Sequence, residues 1–148
     1  MIRVHGTSVA LGGDGILLRG PSGSGKSDLA LRLIDEGARL IADDQTEVSL
    51  VGGELSMAAP ATIAGRIEVR GIGILHVPTS PSAVLRLVVS LTPPGSVERL
   101  PEAQFCALLG HSVPLVELAP FEASATAKLR LAVRACGAGV RSGAFIPS

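Results

Sequence analysis

Eight consecutive residues, Gly20-Pro21-Ser22-Gly23-Ser24-Gly25-Lys26-Ser27, satisfy the pattern GxxxxGK(S/T) at every fixed position. Glycines at this spacing let successive backbone N–H groups turn toward one anion, and a helix beginning at the end of the run adds its positive pole. Lys26 then reaches the β- and γ-phosphates of a nucleotide, and the Ser27 hydroxyl is placed to ligate Mg²⁺. Lys26 is one of only two lysines in the chain, the other being Lys128. The plain alternative is a glycine-rich turn with an incidental lysine. The flanks argue against it, since Ile16-Leu17-Leu18 reads as a strand leading in and a helical repeat leads out.

Two further groups could act on a bound phosphate. Asp43-Asp44 ends the short apolar run Arg39 to Ala42, the next strand after the helix. Adjacent carboxylates there repel one another, which suits one of them to accept the proton of an attacking hydroxyl. The same spacing also fits a solvated acidic turn. In Gly65-Arg66-Ile67-Glu68-Val69-Arg70-Gly71-Ile72-Gly73-Ile74, residues Glu68 and Arg70 alternate and so are expected to face the same way. They would serve as a metal ligand and a clamp on phosphoryl charge, or form a plain surface pair.

The elements that must position these residues follow from pattern. Ile2 to Ala10 reads as a strand, Gly12 to Gly15 as a turn and Ile16 to Arg19 as a second strand. A helix is expected from Lys26 to Glu36, with Leu29, Leu33 and Ala30, Ile34 at i, i+4 spacing and Gly37 closing it. Gly52-Gly53 joins Glu47 to Val51 and Glu54 to Ala58 as a hairpin. Pro60 to Gly65 is a loop, and Ile67 to Val77 is strand-like but broken at Gly71 and Gly73. Ala83 to Leu91 and Val113 to Leu118 read as strands, Glu102 to Leu109 as a short helix ended by Gly110. Glu122 to Cys136 reads as a helix with Leu129, Ala132, Val133 and Cys136 on one face. The fold class expected is an α/β P-loop core with a mixed sheet, more hairpins than a doubly wound sheet, and few helices. Residues 1–136 would form one domain, and 137–148 a loose C-terminal tail.

Composition bounds the partners. The 148 residues suit one domain, and 47 % hydrophobic against 18 % charged residues exclude disorder. Thirteen basic and thirteen acidic side chains cancel, which removes a global attraction to nucleic acid or an anionic membrane. Aromatics make up 2 %, too few for the stacking platforms that single-stranded nucleic acid needs, and none stands near the P-loop in sequence to mark an adenine pocket. Cys106 and Cys136 fall in no metal-binding spacing and read as buried thiols. No signal-peptide pattern or membrane-length apolar run occurs, so the expected location is the cytoplasm.

Taken in order, His5-Gly6, the P-loop, Arg39-Leu40-Ile41-Ala42-Asp43-Asp44 and Glu68-Val69-Arg70-Gly71-Ile72-Gly73-Ile74 resemble the catalytic domain of the HPr kinase/phosphorylase family. The likeness is close from Val4 to about Val77. It implies an ATP- and Mg²⁺-dependent kinase that phosphorylates a serine of HPr, the small carrier of the sugar phosphotransferase system. It further implies Lys26 as the phosphate-binding lysine, with Ser27 and Glu68 as magnesium ligands. Asp44 would take the seryl proton, with Asp43 as a neighbour able to share the role, and His5 and Arg70 would complete the centre. Full-length members form hexamers, and the apolar helices here allow a homo-oligomer without fixing its number.

The chain departs from that pattern in three places. Its start matches the core, as in a short form without the family's N-terminal domain. Where the family carries a Pro-Gly-Arg-Asn-like loop, it reads Pro120-Phe121-Glu122-Ala123-Ser124-Ala125, which leaves the reverse, phosphorylase reaction without that loop's arginine. His76 stands where the family has Asp or Asn, and both His76 and His111 read as hydrogen-bonded histidines of the surface or the core. Besides the HPr kinase, two functions fit a P-loop of this kind: a nucleotide-sensing regulatory protein that binds ATP without transfer, and a small-molecule kinase.

Overall fold

The computed structural model describes residues 1–137. Gly6 divides what reads as one N-terminal strand into β1 (Ile2–His5) and β2 (Thr7–Leu11). There follow β3 (Asp14–Arg19), α1 (Lys26–Asp35), β4 (Arg39–Ala42), β5 (Gln45–Val51) and β6 (Glu54–Ala58). The second half holds the hairpin β7 (Arg66–Val69) and β8 (Gly73–His76), the long β9 (Ala83–Leu91), the hairpin β10 (Gln104–Leu108) and β11 (His111–Leu118), and α2 (Ala125–Gly137). Of the tail expected from Gly137 onward, Gly137 itself is the last residue of α2 and residues 138–148 lie outside the described residues.

The break at Gly6 is steric. A Cβ there would stand 2.8 Å from Leu17 Cδ1 and 2.9 Å from Leu18 O, so only glycine lets the chain pass β3 this closely while it changes partners. β1 pairs antiparallel with β5, whereas β2 pairs antiparallel with β3 and β4.

Among the described residues nine strands form one mixed sheet, with the path β1-β5-β6-β9-β3-β2-β4. β9 is shared: one edge runs along β3, while the other meets β6 at its start and β11 at its end. The path curls back on itself, because β1 runs on into β2 and β4 into β5. The Gly6 N–H donates to Asp44 O at 2.8 Å across the seam. Just inside it the fully buried hydroxyls of Ser8 and Thr46 share a 2.9 Å hydrogen bond. One apolar cluster, including Leu17, Ile41, Val48, Met57 and Val88, comes from strands alone and fills the hollow of the curl. The other packs α1 and α2 onto the outer face through Leu29, Leu33, Leu129 and Val133 against Ile16, Leu18 and Leu87. The buried stripes of both helices are those the i, i+4 pattern predicts. No helix among the described residues is long and apolar enough to cross a membrane.

Residues 102–109 do not form the expected helix. Gln104–Leu108 pairs with β11 in the register Leu108↔His111, which leaves Leu109-Gly110 as a two-residue turn with φ of 48° and 79°. Positive φ at both central residues belongs to a type I′ hairpin, so Gly110 turns a strand rather than ending a helix. α2 also starts at Ala125, later than the expected Glu122, after a turn.

Both cysteines are half-buried rather than buried. Burial at the end of α2 pushes the Cys136 thiol up to about 11. Its thiolate fraction at pH 8 is therefore about a hundredfold below that of an ordinary thiol. Iodoacetamide at pH 8 is expected to label Cys136 about a hundred times more slowly than a free-cysteine peptide, followed by peptide mass spectrometry. Labelling at the peptide's rate would show that this end of α2 opens in solution.

Candidate active site

β3, β9 and β11 run parallel, and β4, two antiparallel steps from β3 through β2, points the same way. Their carboxyl ends open on one edge of the sheet, where α/β folds bind ligands. The P-loop leaves β3 at that edge, Asp43-Asp44 leaves β4, Thr92 leaves β9 and Pro120-Phe121 leaves β11.

The P-loop has the shape its sequence demands. Gly23 and Gly25 take φ of 82° and 105°, which turns the backbone as a residue with a side chain rarely can. Lys26 is buried, and its Nζ donates to Gly20 O at 2.8 Å and Pro21 O at 3.1 Å, so the ammonium is strapped across the loop. Gly25 is the N-cap of α1 and no side chain caps it. The first-turn N–H groups therefore stand ready for an anion, assisted by the helix dipole.

The two aspartates, expected to repel side by side, are turned apart. Asp44 has φ 69°, and this left-handed turn sends its carboxylate to His5, whose Nε2 lies 2.8 Å from Oδ1. Both side chains are more than half exposed, so the pair contributes little to stability and matters for where it holds the carboxylate. Asp43 faces inward as a hub. Its Oδ1 accepts from Ser27 Oγ at 2.8 Å and Thr7 Oγ1 at 3.1 Å, and its Oδ2 accepts the Glu68 N–H at 3.0 Å. Thr7 Oγ1 in turn accepts the Asp44 N–H at 3.1 Å, which ties both acids to the β2 strand.

Glu68 thus reaches the site through its backbone, with its side chain exposed. Arg70 does not share its strand face. β7 ends at Val69, and Arg70 lies in the turn before β8, also exposed. The turn residues Arg70 to Ile72 break the alternation that pattern alone extends through Arg70. Among the described residues no group of three or more His, Cys, Asp or Glu side chains could hold a metal unaided. Ser27 and Asp43, joined at 2.8 Å, are oxygen donors of the kind a hard cation takes beside water and phosphate ligands, and Glu68 adds its backbone N–H to Asp43.

His76 lies exposed at the end of β8, and His111 lines a cavity with Arg86 and Cys136 away from the P-loop residues. Both are exposed surface histidines, and among the described residues neither side chain has a hydrogen-bond partner, so the expected hydrogen bonds are not formed there. Sequence reasoning places Phe121 in the departing loop but gives its ring no role. Its ring lies against the P-loop, where a Cβ on Gly25 would meet Phe121 Cζ at 2.9 Å and Pro120 Cγ at 3.2 Å. Arg32 of α1 holds this segment by donating to Pro120 O. The available signal was its place just after the third parallel strand.

Residues 1–119 match the family model described as HPr Serine kinase C-terminal domain. The HPr kinase/phosphorylase of Clostridium tetani is 47 % identical over 77 residues, 52 % of this chain and 25 % of that protein. That of Caldanaerobacter subterraneus is 49 % identical over 79 residues, 53 % of this chain and 26 % of that protein. The matched part of the chain thus spans about a quarter of the length of these relatives. A solved HPr(Ser) kinase/phosphatase from Coxiella burnetii shares the fold, with TM-score 0.78, 24 % identity, and coverage of 94 % of this chain and 96 % of that one. A family match over 119 of 148 residues, carried on the same curled mixed sheet, places this chain in the HPr serine kinase C-terminal domain family.

Proposed function

We propose that this chain is an ATP- and Mg²⁺-dependent protein serine kinase domain acting on HPr or an HPr-like carrier. One observation carries the reading. A P-loop and two differently partnered aspartates share one edge of the sheet, Asp43 bonded to Ser27 and Asp44 held by His5. The loop N–H groups and Lys26 bind the β- and γ-phosphates, and Ser27 and Glu68 would hold Mg²⁺. When bound, the cation supplies counter-charge to the phosphates.

Asp44 is the proton acceptor. The seryl oxygen forms its bond to the γ-phosphorus, the bond from that phosphorus to the β,γ-bridging oxygen breaks with ADP as leaving group, and the seryl proton passes to Asp44. His5 orients the Asp44 carboxylate. The exposure of this pair suits an acceptor presented by another protein, since a carboxylate sealed from solvent could not reach a seryl side chain on a carrier. Arg70, on the exposed turn beside Glu68, would neutralise charge on the acceptor side. The reverse, phosphorylase reaction is proposed to be weak, because Phe121 occupies the loop where the family's arginine would stand.

The test is incubation with γ-labelled ATP, Mg²⁺ and the HPr-type protein of the same cell. Label is expected on one serine of the carrier and absent when that serine is replaced by alanine. ATP binding with no transfer would overturn the kinase reading in favour of a nucleotide sensor, and transfer to a metabolite alone would make the chain a small-molecule kinase.

A further inference from the structure

We infer that Phe121 is the stacking platform for the nucleotide base, an inference that rests on the nucleotide-binding reading of the P-loop. Sheet order separates the two ends of a bound nucleotide. Asp43 and Asp44 leave β4, which lies on one side of β3 beyond β2, whereas Phe121 leaves the end of β11, on the other side beyond β9. With the γ-end of the nucleotide committed to the acids and Ser27, the base departs across the opposite flank. Phe121 stands there, packed on Gly25, the residue just before Lys26.

Its environment is that of a platform rather than a core residue. Phe121 is 67 % exposed although one edge of the ring rests on Gly25 and it follows the buried Leu118 and Ala119. The loop that carries it is fastened at several points. Arg32 donates to Pro120 O, the Ala125 N–H donates to Glu122 O at 3.1 Å, and Lys128 Nζ donates to Glu122 Oε1 at 2.9 Å. An exposed aromatic ring on a fixed loop stacks a base with little ordering cost. No other function is evident for it: the ring contributes to neither apolar cluster.

The test is calorimetric titration of ATP and of inorganic tripolyphosphate, each with Mg²⁺, into wild type, Phe121→Ala and Phe121→Trp. Phe121→Ala is expected to weaken ATP about tenfold or more and to leave tripolyphosphate unchanged, since only the base is lost as a partner. Phe121→Trp is expected to keep ATP affinity. The chain has no Trp of its own, so the introduced indole is a sole reporter, quenched by ATP and not by tripolyphosphate. Equal weakening of both ligands in Phe121→Ala would overturn the inference and make the ring a mere support for Gly25. Unchanged ATP affinity in that variant, or wild type binding tripolyphosphate as tightly as ATP, would also overturn it while leaving the P-loop reading intact. Wild type that binds neither ligand would overturn both readings.

Discussion

Asp44→Asn is expected to lower the phosphotransfer kcat by about 10²- to 10⁴-fold while ATP affinity stays within about twofold of wild type. The substitution removes the proposed proton acceptor and little else. Asp44 sits at φ 69°, a left-handed conformation that asparagine tolerates better than almost any other residue with a side chain. The amide oxygen can still meet His5 Nε2, and the Asp44 backbone bonds to Gly6 and Thr7 are unaffected by the change. The proposed P-loop contacts of the nucleotide lie elsewhere, at Lys26 and the first turn of α1. Single-turnover transfer from labelled ATP to the carrier, beside equilibrium ATP binding, separates the two effects. A kcat within tenfold of wild type would remove Asp44 from the proposed chemistry. Loss of ATP binding would recast it as a nucleotide ligand.

What the sequence made legible follows from how local each signal is. The P-loop is contiguous, its glycines are demanded by backbone geometry, and the helix after it carries its own periodicity, so loop and α1 could be read together. The strand ending in Asp43-Asp44 was equally local. The division of labour within that pair was not, because it depends on the left-handed turn at Asp44 and on a seam closed by Gly6, Ser8 and Thr46. Arg70 was misplaced because alternation says nothing about where a strand stops. Gly110 was misread because glycine ends helices and turns hairpins alike, and only pairing with β11 decides between them. The packing of Phe121 on Gly25 was invisible because the two lie far apart in the chain and meet only where parallel strands end together.

Asp43 should fail differently from Asp44, and two substitutions expose the difference. Asp43→Ala removes the acceptor for Ser27 Oγ, Thr7 Oγ1 and the Glu68 N–H at once. Leaving such donors unpaired in a half-buried site is expected to cost about 3 kcal/mol, which for a domain of this size lowers Tm by about 10 °C. Asp43→Asn can be accommodated. The amide oxygen turns to the Glu68 N–H, and the NH₂ group donates to the hydroxyls of Ser27 and Thr7, which accept as readily as they donate. The fold is then kept, with Tm within about 3 °C of wild type. The cation site is not, because an N–H donor now points at Ser27 Oγ, where the cation would sit, and the adjacent negative charge is gone. Asp43→Asn is therefore expected to bind ATP equally well with and without Mg²⁺, where wild type gains about tenfold or more from the cation. Thermal melts and ATP titrations with Mg²⁺ or EDTA check this. An Asp43→Asn protein whose ATP affinity still rises with Mg²⁺ as in wild type would show that Asp43 only shapes the loop, and that the cation depends on Glu68 and the phosphates without it.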